Sequence, residues 1–126
     1  MKLARYLSIW RAGVGLGAIL APGVMTRVFG FPPEHDNAST RMVARLFGLR
    51  EVAMAGLTLA LDPDPSQRGI VYRANAALDG ADAAAALLTL IARKGIGRAA
   101  LGAFLIALPQ TAGWLYLARA EAQPPE

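Results

Sequence analysis

Residues 99–118 read AALGAFLIALPQTAGWLYLA. A run of about 20 residues without a charge is the length of helix that crosses a hydrocarbon core of roughly 30 Å. Trp114 and Tyr116 stand toward one end of the run, where amphipathic rings sit at a membrane–water boundary. Pro109 inside it is better tolerated in a membrane helix than in a soluble one. A soluble bundle needs a polar stripe along every helix, and this segment has none. The stretch therefore predicts an all-α protein, a four-helix transmembrane bundle.

Composition agrees with that reading. The 126 residues suit one domain, residues 1–126; hydrophobic residues make up 55% and charged residues 17%, with a mean hydropathy of +0.37. The net charge is +4, but the basic residues are scattered and form no stripe interleaved with aromatics. Nucleic acid is thus not an expected partner. There is no cysteine, which excludes disulfides, thiolate metal sites and a cysteine nucleophile.

Working backward from residue 99, breakers divide the chain into helices at about 3–21, 39–61, 66–94 and 97–120. Pro22-Gly23 stops the first, and Pro32-Pro33 with Asp36-Asn37 interrupts the connection that follows. Within that connection TRVFGF is amphipathic enough to lie at an interface. Ser39 or Thr40 is positioned to cap the second helix and Ser66 the third. Arg93-Lys94-Gly95 suits a helix C-terminus, and PPE closes the chain as a tail. Lys2 and Arg5 precede an apolar stretch in the manner of a secretory leader. Arg11 and the glycines dilute that stretch, however, and no A-x-A site follows, so it reads as a first span. Lys and Arg counts on the two sides are nearly tied, which leaves the orientation open.

The charges inside the apolar segments carry the chemistry. Arg11 lies in the first, Arg45, Arg50 and Glu51 in the second, Asp79 and Asp82 in the third. Each would cost about 2.5–3.5 kcal/mol in hydrocarbon on insertion scales, so they must face one another, water or a ligand. Helical spacing puts Arg68, Tyr72, Asn75, Asp79, Asp82 and Ala86 on one stripe of the third helix. In the second helix, Arg41, Arg45, Gly48, Val52 and Ala55 share a face with Glu51 at its margin. Arg50 faces away from Arg45, and Arg73 away from Asp79. Three arginines against three acids come to near neutrality, as a low-dielectric interior requires. Gly13 with Gly17, Gly48 with Gly56, and GADAAAA supply small surfaces for close packing, chiefly of the second helix on the third.

Other patterns are structural. Gly13, Gly15 and Ala18 spell G-x-G-x-x-A, but neither the strand before it nor the βαβ unit around it is present. His35, the sole histidine, sits between Glu34 and Asp36 in a polar loop and reads as surface. No metal site and no cofactor are expected.

The stretches RLFGLREVAMAG (45–56), RAGVGLGAILAPGVMTRVFGF (11–31) and LDGADA (78–83) resemble a bacterial and fungal family of small four-helix membrane proteins. That family carries a domain of unknown function and is similar in layout to DoxX-like proteins. The resemblance covers nearly the whole chain. It implies a multi-pass protein of the bacterial cell membrane. This chain has no cysteine for the redox and sulfur chemistry associated with DoxX-like proteins.

Three functions follow from the intramembrane charges. The first is a polar site that binds a small amphiphilic, lipophilic ligand, with Arg11, Arg45, Arg50 and Asn75 as binding residues. The second is a cofactor-independent enzyme opening epoxides or isomerising double bonds, with Glu51, Asp79 and Asp82 as acid–base residues and arginines holding charge and geometry. The third is a proton-coupled transporter subunit, which four short helices would complete only as a homo-oligomer. The lipid bilayer is the partner common to all three.

Overall fold

A computed structural model describes residues 2–93 and 95–122. Lys94 and the PPE tail lie outside the described residues. Among those described the chain is all-α: α1 spans Lys2–Leu20, α2 Pro22–Val28, α3 Ala38–Leu61, α4 Pro65–Ala92 and α5 Gly97–Glu121, with a single 3-10 turn at Pro33–His35.

The breakers act as expected, with one difference. Pro22 does more than end α1: it occupies the first turn of a new short helix, where its missing N–H is one the helix leaves unpaired anyway. The TRVFGF region is thus partly helical. Caps also sit earlier than the hydroxyl residues suggest. Asn37, not Ser39 or Thr40, caps α3 by accepting from the Thr40 N–H at 3.1 Å. Asp64, not Ser66, caps α4, accepting from the Ser66 N–H at 2.8 Å and its hydroxyl at 2.7 Å. Those bonds hold the Asp64 carboxyl below its ordinary pKa. α4 ends on Arg93 in the left-handed conformation, followed by Gly95 at φ +83°.

The four long helices form two antiparallel pairs, α1 on α3 and α4 on α5, and the pairs meet more loosely along α3–α4 and α1–α5. This departs from the expectation that the second and third segments pack most closely. The glycines show why. A Cβ on Gly15 would stand 2.7 Å from the Gly48 carbonyl oxygen, and one on Gly48 would stand 2.5 Å from that of Gly15. The α1 and α3 backbones therefore touch at these two residues, and only glycine fits. Gly13 and Gly56, expected at interfaces, face open space, and Gly17 faces the Met25 thioether.

The chain folds back on itself at one end of the bundle. Gly30, at φ +84°, lays residues 29–30 against the start of α5. Beside it Arg41 donates to Asp36 at 2.7 and 3.1 Å. Those bonds hold the Asp36 carboxyl below its ordinary pKa, with Arg27 adding a more distant attraction. At the other end Arg68 donates to the Asp62 carbonyl at 2.6 Å and to Glu121 at 3.3 Å, and Tyr72 donates to the Asp62 carboxylate.

The distribution of residues is inverted relative to a water-soluble bundle. The largest fully buried side chains are Trp114, Arg11, Tyr72, Asn75, Thr58 and Ser8. Leu20, Leu46, Leu49, Leu88, Ile91 and Leu105 are exposed, as are large apolar residues on every long helix. α4 and α5 are each long and apolar enough to cross a membrane. Only 28% and 22% of their most apolar stretches are buried within the fold, so their apolar surface is external rather than core. α1 and α3 are not among the helices that meet that measure; Arg45, Arg50 and Glu51 dilute the apolar run of α3.

Candidate functional site

Three helices deliver charge to one place. Arg11, on the inner face of α1, is only 1% exposed. One terminal nitrogen of its guanidinium lies 3.2–3.3 Å from the Glu51 carboxylate of α3, and the other donates to Asp79 Oδ1 of α4. Glu51 also accepts from Arg50 at 3.0 and 3.2 Å. Arg50 then reaches across to α4 and donates to both oxygens of Asp82, at 2.5 and 3.2 Å. The result is an alternating chain, Asp79–Arg11–Glu51–Arg50–Asp82. Asp79, Arg11 and Glu51 are buried, while the Arg50 and Asp82 side chains are each 35% exposed. Fork-shaped guanidiniums suit such bridging because each carries several donors in a fixed plane.

The expected site residues thus separate. Arg11, Arg50, Glu51, Asp79 and Asp82 come together; Arg45 and Asn75 do not join them. Arg45 donates to the Ile19 carbonyl at 3.3 Å from an exposed position. Asn75 is fully buried one turn from Asp79, but its amide donates to Thr58 Oγ1 and the Val71 carbonyl, both at 2.8 Å. Arg50 enters because its long side chain swings between α3 and α4, and its guanidinium also lies 5.1 Å from the Phe47 ring centre. Arg73 is exposed on α4 and makes no ion pair among the described residues. With Arg45 outside, two guanidiniums face three carboxylates, and the near neutrality expected from the sequence becomes an excess of one negative charge.

This chain of charges closes one end of a cavity of about 300 Å³. Arg11, Glu51, Asp79 and Asp82 line that end. Trp10, Phe29, Phe31, Phe47 and the small residues of α4 and α5 form apolar walls. Phe29 and Phe31 lie in the turn that follows α2, so the fold-back that Gly30 permits supplies part of the wall. Volume and lining match those of small-molecule sites, which are mostly apolar with a few fixed polar groups. Phe29, Phe31, Phe47 and Ala103 also line a second, adjoining apolar cavity of about 250 Å³. On another side Trp10, Ile106 and Gln110 are shared with a groove between α1 and α5 beside Pro109.

Sequence reasoning missed Gln110. It lies inside the uncharged run that identifies α5, and the one signal was an amide where every neighbour but Thr111 is apolar. In the structure Gln110 lines the cavity, and its Oε1 is buried with no hydrogen-bond partner in the chain. Asp79 Oδ2 and Arg11 Nε, on two other lining residues, are likewise buried and unpartnered. Leaving such a group unsatisfied costs about 1–3 kcal/mol, more when charged. Three residues that line one cavity thus carry buried atoms without a partner in the chain, two acceptors and one donor.

Among the described residues no cluster of His, Cys, Asp and Glu has a metal-holding arrangement. No protein-family model, curated protein or solved structure matches the chain.

Proposed function

We propose that this chain is a four-helix integral membrane protein that binds a small amphiphilic ligand in its charge-floored cavity. The observation that carries the reading is a largely apolar cavity lined by the charged Arg11, Glu51, Asp79 and Asp82 and by the amide of Gln110. A polar head lies against that charged lining, and an apolar body occupies the space walled by Phe29, Phe31 and Phe47. The membrane half of the proposal rests on the apolar exterior of all four long helices. Water would solvate those leucines and isoleucines poorly, and a contiguous patch of that extent is foreign to a soluble monomer. In this reading α1 and α3 cross with α4 and α5, since Arg11 and Glu51 are turned inward and Arg50 is drawn toward Asp82. A bacterial cell membrane and a DoxX-like kinship belong to the same proposal.

The groove between α1 and α5 gives the ligand a lateral path from the lipid. Trp10, Ile106 and Gln110 line both the groove and the cavity, and the helices on either side pack only loosely. Pro109 lacks the N–H that would bond one turn back, which weakens α5 at the same level.

A decyl probe carrying a photoreactive diazirine on its chain tests this in membranes of cells producing the protein. Labelling is expected on Phe29, Phe31, Phe47 or Ala103, and excess decanol should suppress it. Labelling confined to the outer residues Leu88, Ile91 and Leu105 would contradict an internal site.

One observation favours a second reading, the acid–base enzyme. Asp79 keeps a free carboxylate oxygen while Arg11 fixes the other, which is how a positioned base is held. Turnover of a lipophilic epoxide that is lost in Asp79→Asn while probe labelling persists would select it.

A further inference from the structure

The charges around the cavity define the head group it takes. From α1 comes Arg11, from α3 Arg50 and Glu51, from α4 Asp79 and Asp82; among the described residues α2 and α5 contribute no charged side chain to the lining. Both guanidiniums are already engaged by two carboxylates each. An anionic head would find no free cation and would add to the excess negative charge. A low-dielectric site does not hold an uncompensated charge cheaply.

The walls point the same way. Trp10, Phe29, Phe31 and Phe47 present aromatic rings to the cavity, and Phe47 already carries the Arg50 guanidinium near its face. Rings beside carboxylates are the combination that recognises ammonium groups, through the negative face of the ring and direct charge attraction.

We propose, building on the amphiphile reading above, that the ligand is a lipophilic amine, protonated or quaternary, whose cationic head neutralises the excess carboxylate. The head lies beside the carboxylates of Asp79 and Asp82, and the apolar body lies toward Phe29 and Phe31.

The test uses the full chain in nanodiscs of digalactosyldiacylglycerol, an uncharged lipid without an ammonium group, and three probes of equal chain length: decyltrimethylammonium, decanol and decanoate. The cation should bind about tenfold or more tighter than decanol, the scale of a desolvated cation–π and charge contact, with decanoate weakest. Asp79→Asn and, at the more exposed end, Asp82→Asn should each abolish the preference for the cation, and an unchanged far-UV circular dichroism spectrum shows that the variants are folded. Decanol or decanoate binding as tightly as the cation would overturn the head-group assignment and leave the cavity reading standing. Failure of all three probes to saturate would overturn both.

Discussion

Arg11 of α1 and Asp79 of α4 form an ion pair across two helices whose backbones do not run closely alongside each other. The link between the two helix pairs at this level is made by side chains, with Glu51 as the third member. Removing the guanidinium leaves two buried carboxylates without their cation. Arg11→Leu is expected to destabilise the fold by about 3–5 kcal/mol, the usual cost of breaking a buried pair. Arg45→Leu loses one bond to a backbone carbonyl from an exposed position and should cost about 1 kcal/mol or less. Reversible unfolding in mixed micelles measures both.

The contact between Gly15 and Gly48 makes a sharper packing prediction. Alanine at either site must push α1 and α3 apart, since the new methyl would meet backbone oxygen rather than a movable side chain. A loss of about 1–3 kcal/mol is expected for each. Gly13→Ala and Gly56→Ala meet nothing and should be neutral or mildly stabilising through helix propensity. The same unfolding assay compares all four, and equal effects at Gly13 and Gly15 would refute the arrangement.

The four-span proposal places successive helix connections on alternate sides of the membrane. Because there is no native cysteine, single introduced thiols report cleanly. Gln67→Cys should react with an impermeant maleimide from one side of the membrane, and Glu34→Cys and Arg98→Cys from the other. Labelling of Glu34→Cys and Gln67→Cys from one side, with Arg98→Cys from the other, would reduce the spans to α4 and α5.

The connection before α3 has its own pH response. Arg41 lowers the pKa of Asp36 from its ordinary 3.8. The unfolded carboxyl titrates near that ordinary value, so the stabilising tie is fully present above it. It is lost as pH falls through the lower, folded value. Carboxyl-carbon NMR should find Asp36 ionised at a pH where an ordinary aspartate is half protonated, and Arg41→Gln should return it toward 3.8.

How much of this was legible in the sequence depends on reach. Hydropathy and breakers located the long helices, and helical spacing put Glu51, Asp79 and Asp82 at candidate positions. Those signals act within a segment. Partner choice acts between segments: it turned on Gly15 meeting Gly48, while the equally visible Gly13 faces open space. Arg50 was placed off the stripe because spacing fixes where a side chain leaves the helix, not where a long flexible one ends. Gln110 was hidden by the lack of charge that made its segment readable. Pro22 was read as a stop alone, although the same residue starts a helix equally well.

The central claim is an internal site that takes an amphiphile, and Ala103 gives the most direct access to it because it lines both adjoining cavities. Equilibrium binding of tritiated decyltrimethylammonium to the protein in nanodiscs should saturate at one site per chain. Ala103→Trp, which fills the cavity, should weaken it by about tenfold or more, a loss of roughly 1.4 kcal/mol or greater. Leu108→Trp, on the exposed face of the same helix, should leave it unchanged. Uptake that never saturates, and that is identical in the parent and both variants, would show only partitioning into lipid and would contradict the account.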